Sequence, residues 1–420
     1  MFVLRLYSWL YPLFLPLLLL RLLLRSRHAV DYRRRLPERL ARHLPQPCDL
    51  WVHAVSVGES VAAAPLIQAL QQAHPGLRVL VTGMTPTGAE RVRTLLGASV
   101  EHRYLPWDHH RWQGRLLDAA KPRLLLIMET ELWPCLIAEA GRRAIPVVLA
   151  NARLSPRSAA GYARLPALVQ PMLQGLQGVL AQDAATAQRF AALGVAAARL
   201  QVCGSLKFDM PVAALDRASL RAQFQLGERP IWVVGSTHAG EEALILAALP
   251  ALRSLLPDLL LILVPRHPER FASVARAIQA GGWGDCRRSR GERPSATTAV
   301  WLADSMGELN QWYALADVAL VAGSLLPHLG GHNVLEPMAF GVPTLCGRHV
   351  MNFQQIVDTA CAAGALRTVA AGDELVAAVT SVLQDEEEAG RLRLAAQRLL
   401  AANRGALQRQ LQAIDGFLVQ

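Results

Sequence analysis

The sequence predicts an α/β protein built from two Rossmann-like lobes, each with a parallel, doubly wound sheet, and three observations lead there. Short runs rich in Val, Ile and Leu alternate with amphipathic stretches along most of the chain. Those runs are apolar at consecutive positions, as strands buried on both faces must be. The scheme occurs twice, and 420 residues suit two cores better than one.

The first half places strands at 50–55, 78–82, 123–128, 146–150, 178–181 and 200–203, with helical patterns such as 61–74 and 184–193 between them. The second half repeats the alternation at 231–235, 259–264, 299–302, 318–322 and 343–346. The two halves divide near 205–228, giving expected domains at 28–208 and 209–420, facing each other across a cleft. The last helical run, 386–418, has no strand after it and is expected to pack back across the lobes. No repeat or low-complexity segment interrupts this plan.

Residues 1–27 read differently, as a membrane anchor with a basic flank. From Leu6 to Leu20 the chain is polar only at Ser8, and Leu22 to Leu24 resume the run after Arg21. Pro12 and Pro16 break helix regularity, and no small-residue cleavage site follows, which argues against a removed signal peptide. Arg25, Arg27, Arg33, Arg34, Arg35, Arg39 and Arg42 come next, and such a flank places the catalytic mass on the cytoplasmic side. Whether the segment spans the bilayer or lies in its interface stays open.

Apolar residues make up 52% of the chain, which excludes a disordered protein. The formal charge is +10, but no Lys/Arg run is interleaved with aromatics, so nucleic acid is not expected as a partner. Nucleotide phosphates, a phosphorylated lipid or an acidic membrane surface suit this charge better. The six cysteines form no C-x-x-C pair and sit mostly in apolar stretches, as reduced, packed thiols do. His109-His110 and His267 lack ligand spacing, so no metal and no cofactor is expected. No P-loop occurs and no Gly-x-Gly-x-x-Gly follows the first strand, which excludes the kinase and dehydrogenase classes.

Ligands of parallel α/β sheets bind beyond the carboxyl ends of strands, so the strand-to-helix junctions carry the candidate chemistry. Ser56-Val-Gly-Glu59, Ser305-Met-Gly-Glu308 and Asn333-Val-Leu-Glu336 share one pattern. The two serine cases also match capping boxes, and both readings stay open on spacing alone. Gly83-Met-Thr-Pro-Thr-Gly88 offers amides and hydroxyls to an anion, or else holds a Thr87/Glu90 capping box. Gly235-Ser-Thr-His-Ala-Gly-Glu-Glu242 offers an anion similar donors, or else its glutamates only complement the helix dipole. Arg266, in Pro265-Arg-His-Pro-Glu-Arg270, suits a bidentate grip on phosphate or else an exposed turn with incidental charge, and Lys207 falls at the edge of the expected cleft or is a solvated lysine. Glu129 and Glu131 end an apolar strand, where desolvation raises carboxyl pKa values unless a partner intervenes.

These motifs together resemble the bacterial 3-deoxy-D-manno-octulosonic acid (Kdo) transferases of lipopolysaccharide biosynthesis. The carrying stretches are His53-Ala-Val-Ser-Val-Gly-Glu59, Met84-Thr-Pro-Thr-Gly88, Met128-Glu-Thr-Glu-Leu-Trp-Pro134, Asn151-Ala-Arg-Leu-Ser155, Gly204-Ser-Leu-Lys-Phe-Asp209, Pro265-Arg-His-Pro-Glu-Arg270, Met306-Gly-Glu308 and Gly330-Gly-His-Asn-Val-Leu-Glu336. They run in the family's order over nearly the whole chain. The resemblance implies a GT-B fold, CMP-Kdo as donor, the lipid A precursor lipid IVA as acceptor, and an inner-membrane enzyme working at the cytoplasmic surface without a metal. It implies Glu59 as general base, with Glu129 and Lys207 stabilising the transition state. CMP would contact Pro265, Arg266, Met306, Gly307, Glu308, Asn333, Val334, Leu335 and Glu336. Other GT-B enzymes, such as UDP-GlcNAc transferases or epimerases, share the two-lobe plan.

Overall fold

Residues 2–25, 32, 35–209, 214–284 and 286–418 are described by the structure, a computed structural model. The chain divides into two units, Met1–Met210 together with Asn403–Gln420, and Pro211–Ala402.

The first unit holds seven strands, β1 (Leu50–His53), β2 (Val79–Gly83), β3 (Val100–Tyr104), β4 (Leu124–Met128), β5 (Val147–Ala152), β6 (Gly178–Ala181) and β7 (Leu200–Val202). They form one parallel sheet in the order β3-β2-β1-β4-β5-β6-β7. Every residue of β1 is buried, and its side chains alternate between two cores. Leu50 and Val52 pack with Leu66, Ile67 and Leu70 of the Val57–Ala73 helix, while Trp51 packs on the other face with Leu116, Leu117 and Leu136. Each such leucine contributes about 1.5–3 kcal/mol when taken fully out of water. Edge strand β3 escaped the sequence reading because Val-Glu-His-Arg-Tyr is only half-buried and has no apolar run.

The second unit repeats the plan with β8 (Ile231–Thr237), β9 (Leu260–Pro265), β10 (Cys286–Arg287), β11 (Val300–Leu302), β12 (Val318–Val321), β13 (Thr344–Cys346) and β14 (Leu366–Thr368). Its parallel order is β10-β11-β9-β8-β12-β13-β14. Trp232 and Val234 of β8 pack against Ile245 and Leu249 of the Glu241–Leu255 helix. In each unit the strand order reverses direction once, between β1 and β4 and between β8 and β12. Ligands bind at such switch points, beyond the carboxyl ends of the two diverging strands.

The expected domain 209–420 is corrected at its end. Residues 403–420 cluster with the first unit, because Ile414 and Leu418 enter the core beside Leu50 and Val52. Polar groups fix the return: Asp209 accepts from the Gly405 and Leu407 amides, and Gln410 accepts from the Asn151 amide.

The N-terminal segment forms an uninterrupted helix, Phe2–Arg25, through both prolines. It lies against the helices Pro134–Arg142 and Pro166–Gln174. Buried Ser8 places its hydroxyl 2.8 Å from His110 Nδ1 and accepts from the His110 amide. The other face exposes Leu6, Trp9, Leu13, Leu17, Leu20 and Leu24. Among the described residues, no helix is long and apolar enough to cross a membrane.

The basic flank is only partly a free flank. Arg39 is buried, its guanidinium 4.3 Å from the centre of the Tyr104 ring and donating to the Met84 carbonyl. Arg35 pairs with buried Glu38. Arg42 is exposed, whereas Arg27, Arg33 and Arg34 lie outside the described residues.

Candidate active site

The switch point of the first unit gathers carboxylates. Ser56 caps the helix that follows β1, its hydroxyl oxygen accepting from the Glu59 amide at 3.3 Å. The Glu59 carboxylate turns back over the cap. Its Oε1 accepts from the Ser56 hydroxyl and its Oε2 from the Val55 amide, both at 2.8 Å. A standard capping box would engage the Ser56 amide; here the bond falls one residue earlier. Glu59 is only 7% exposed. Burial pushes its carboxyl up to about 7, against the pull of those two hydrogen bonds and with a further push from Glu129 and Glu131.

Glu129 leaves the end of β4 in the left-handed region, at φ 55°, a conformation that costs a non-glycine residue about 1–3 kcal/mol and concentrates at functional sites. Lys207, in a short 3-10 turn, stands with Nζ 3.2 Å from Glu129 Oε1, and both side chains are about 15% exposed. Burial raises the Glu131 carboxyl too, opposed by the Trp133 indole N–H that it accepts at 3.2 Å. Buried His53, at the end of β1, shares the Thr82 hydroxyl with the Trp51 indole, and burial lowers its pKa to about 3. The fold thus brings Glu59, Glu129 and Lys207 into one neighbourhood and keeps one cation among three carboxylates.

The second unit places the residues that the resemblance assigned to CMP on three loops. Pro265 ends β9, and Arg266 follows it, exposed, with its amide donating to the Thr237 carbonyl. Met306 is exposed and Gly307 takes φ 83°, which only glycine adopts without strain. Glu308 accepts from both Arg288 Nε and Nη2, and from the Ser305 hydroxyl. Burial works against its ionisation, but these donors carry its pKa below the usual value. The helix starts only at Leu309, so Ser305 and Glu308 are not the capping box that their spacing suggested. Thr87 is corrected likewise: Thr85 caps the Pro86–Leu96 helix, and Glu90 pairs with Arg93. Val334 and Leu335 are buried, anchoring the short helix Leu335–Ala339, while the Asn333 side chain accepts from the Leu335 amide and donates toward Glu336.

Glu241 had a larger role than the sequence indicated. It is fully buried and accepts from the amides of His238, Gly323, Ser324 and Leu325, tying the loop after β8 to the loop after β12. Thr237 and Arg270 hold Glu242. His238 and His332 each fall in a quoted loop, but their contact was not foreseen, since it joins positions 94 apart. The Gly-rich stretches around them were the available signal. Among the described residues, no group of His, Cys, Asp or Glu is arranged to hold a metal ion.

Two parallel α/β units of this kind recur in solved nucleotide-sugar proteins. HepE of Anabaena in complex with UDP matches with a TM-score of 0.58 at 15% identity, over 89% of this chain and 100% of that one. The UDP-GlcNAc 2-epimerase of Neisseria meningitidis bound to UDP-GlcNAc matches with a TM-score of 0.58 at 14% identity, over 88% and 99%. The fold is GT-B. A family model described as 3-deoxy-D-manno-octulosonic-acid transferase (kdotransferase) covers residues 34–210. The 3-deoxy-D-manno-octulosonic acid transferase of Haemophilus influenzae is 42% identical over 413 residues, 96% of each chain. That of Bordetella pertussis is 38% identical over 387 residues, 89% of this chain and 88% of its own. The protein is a glycosyltransferase, and the chain belongs to the 3-deoxy-D-manno-octulosonic acid transferase family.

Proposed function

We propose that the chain transfers Kdo from CMP-Kdo to a hydroxyl of lipid IVA. The observation that carries this reading is the Glu59–Glu129–Lys207 constellation at the first unit's switch point. The reaction displaces CMP from the anomeric carbon, so the sugar gains oxocarbenium character while negative charge gathers on the leaving phosphate. Glu59 takes the acceptor proton. A carboxylate with a pKa of about 7 is a better base than an ordinary one, and burial makes its protonated product comfortable. Both its oxygens are held by the Val55 and Ser56 donors, and each keeps a lone pair for the incoming proton. Glu129 offsets the developing positive charge on the sugar, and Lys207 pairs with it at 3.2 Å. Residues 265–266, 306–308 and 333–336 bind CMP, with Arg266 on the phosphate.

The enzyme works at the cytoplasmic face of the inner membrane, where its lipid acceptor lies. Support comes from the outward apolar face of the Phe2–Arg25 helix, which has Trp9 and Phe14 as interfacial residues. Replacing Trp9, Leu13 and Leu17 with serine, or removing residues 1–24, should release the protein from inner-membrane vesicles. Continued sedimentation with vesicles at high salt would refute the anchor. The activity itself is tested with purified protein, CMP-Kdo and lipid IVA, followed by mass measurement of the lipid product. Competition by UDP, with none by CMP, would overturn the donor.

A further inference from the structure

We propose that His238 and His332 form a proton-holding pair that receives the donor's phosphate and takes up a proton from solvent as that phosphate binds. The inference rests on the reading that the second unit binds a CMP-sugar. Its basis is where the pair sits and how it is built. His238 follows β8 and His332 lies on the connection after β12, the two strands that diverge at the second unit's switch point.

The two rings lie nearly parallel, 14° apart, with Nε2 of one 2.8 Å from Nε2 of the other. A hydrogen bond between two ring nitrogens needs one N–H and one bare nitrogen, so the pair holds a single shared proton there. One further proton, taken on the bare Nδ1 of the donating ring, keeps that hydrogen bond and leaves one imidazolium beside one neutral ring, a charge that a bound anion offsets. The pair is also rigidly placed. The His238 amide is bound by Glu241, whose carboxylate also fastens Gly323, Ser324 and Leu325. Gly323, at φ 72°, leaves the room that the His332 ring fills, since a Cβ there would lie 2.6 Å from the ring. The Gly331 amide, next to His332, donates back to the Gly323 carbonyl.

The surrounding charges favour an anion. His267 meets His238 edge-on, with centroids 5.3 Å apart, and Arg266 acts on both rings of the pair. Glu241 and Glu242 also face His238 and favour its charged form. Both carboxylates are already engaged, Glu241 by four amides and Glu242 by Arg270 and Thr237. Burial, joined at His332 by the positive charge of Arg266, leaves His332 at about 4 and lowers His238 as well, so both rings are neutral at about pH 8. A phosphate placed against the rings reverses that balance and draws a proton onto the pair.

The test is calorimetric titration of the full-length protein in detergent with CMP and, separately, with cytidine. The titrations run at about pH 8, where the CMP phosphate already carries its full charge, in buffers of different ionisation heat. The expected result is net proton uptake with CMP and none with cytidine. His332→Gln and His238→Gln should abolish the uptake and weaken CMP binding roughly 10- to 100-fold, leaving cytidine affinity unchanged. CMP binding by the wild-type protein without proton uptake would overturn the proposal, whatever the variants do. So would uptake that persists in both variants. Failure of the wild-type protein to bind CMP at all would instead refute the underlying donor assignment.

Discussion

Replacing Glu59 with glutamine separates a catalytic base from a helix cap. Glutamine can keep both local contacts, its carbonyl accepting from the Val55 amide and its NH2 donating to the Ser56 hydroxyl, so the cap survives. What it removes is a titrating group whose carboxyl is raised from 4.5 to about 7 by burial. That displacement corresponds to about 3 kcal/mol of cost for ionising Glu59 in the folded protein. The sign follows from proton binding. Between about 4.5 and 7 the folded chain keeps a proton that the unfolded chain has lost, so the stability contributed by Glu59 is fully present below that window and falls as pH rises through it. Glutamine shows no such fall. Glu59→Gln should therefore match the wild type near about pH 5 and exceed it in stability near about pH 8 by up to about 3 kcal/mol. Over the same range its turnover should drop by roughly 10²–10⁴, the contribution of a positioned base. The assay pairs thermal melting at both pH values with the rate on CMP-Kdo and lipid IVA. A stable variant with a near-normal rate would remove Glu59 from the chemistry, and Glu129 would become the candidate base. A variant less stable than the wild type at the higher pH would refute the account of its pKa.

Three further outcomes are expected. Lys207→Met strips Glu129 of its cation and intensifies its repulsion of Glu59, so the acid limb of the rate profile should move upward by roughly half a pH unit or more; an unmoved limb would show that Lys207 does not tune the base. Arg266→Lys keeps the charge but loses the planar fork, and CMP binding should weaken by about 1.5–3 kcal/mol, with unchanged titration curves marking Arg266 as a mere surface charge. Glu241→Gln leaves buried amides of the β8 and β12 loops without an acceptor, which should cost about 1–3 kcal/mol in denaturant unfolding; an unaltered midpoint would refute the clamp.

The sequence by itself determined what local chemistry can encode. Short continuous apolar runs such as Leu124–Met128, alternating with amphipathic stretches, fit strands covered on both faces, and that pointed to two parallel α/β sheets. Motif order specified the family, and strand-end placement brought Glu59, Glu129, Lys207 and Arg266 forward as candidates. Spacing misled where two hydroxyls competed for one helix end. Thr85, not Thr87, caps its helix, and Ser305 caps none, because the backbone path into the helix decides which oxygen meets a free amide. Polar edge strand β3 gave no periodic signal.

Only the tertiary structure decided the contacts made across long stretches of chain. Asp209 catches the amides of Gly405 and Leu407, and Ile414 enters a core begun by Leu50, which moves the last helix into the first unit. His238 meets His332, and Glu241 reaches Gly323, through strand order alone. Periodicity reports which face of an element is buried, but not which distant element covers it. A buried carboxylate or imidazole acquires its pKa from that covering, so the chemistry of Glu59 and of the histidine pair became readable only once the switch points were assembled.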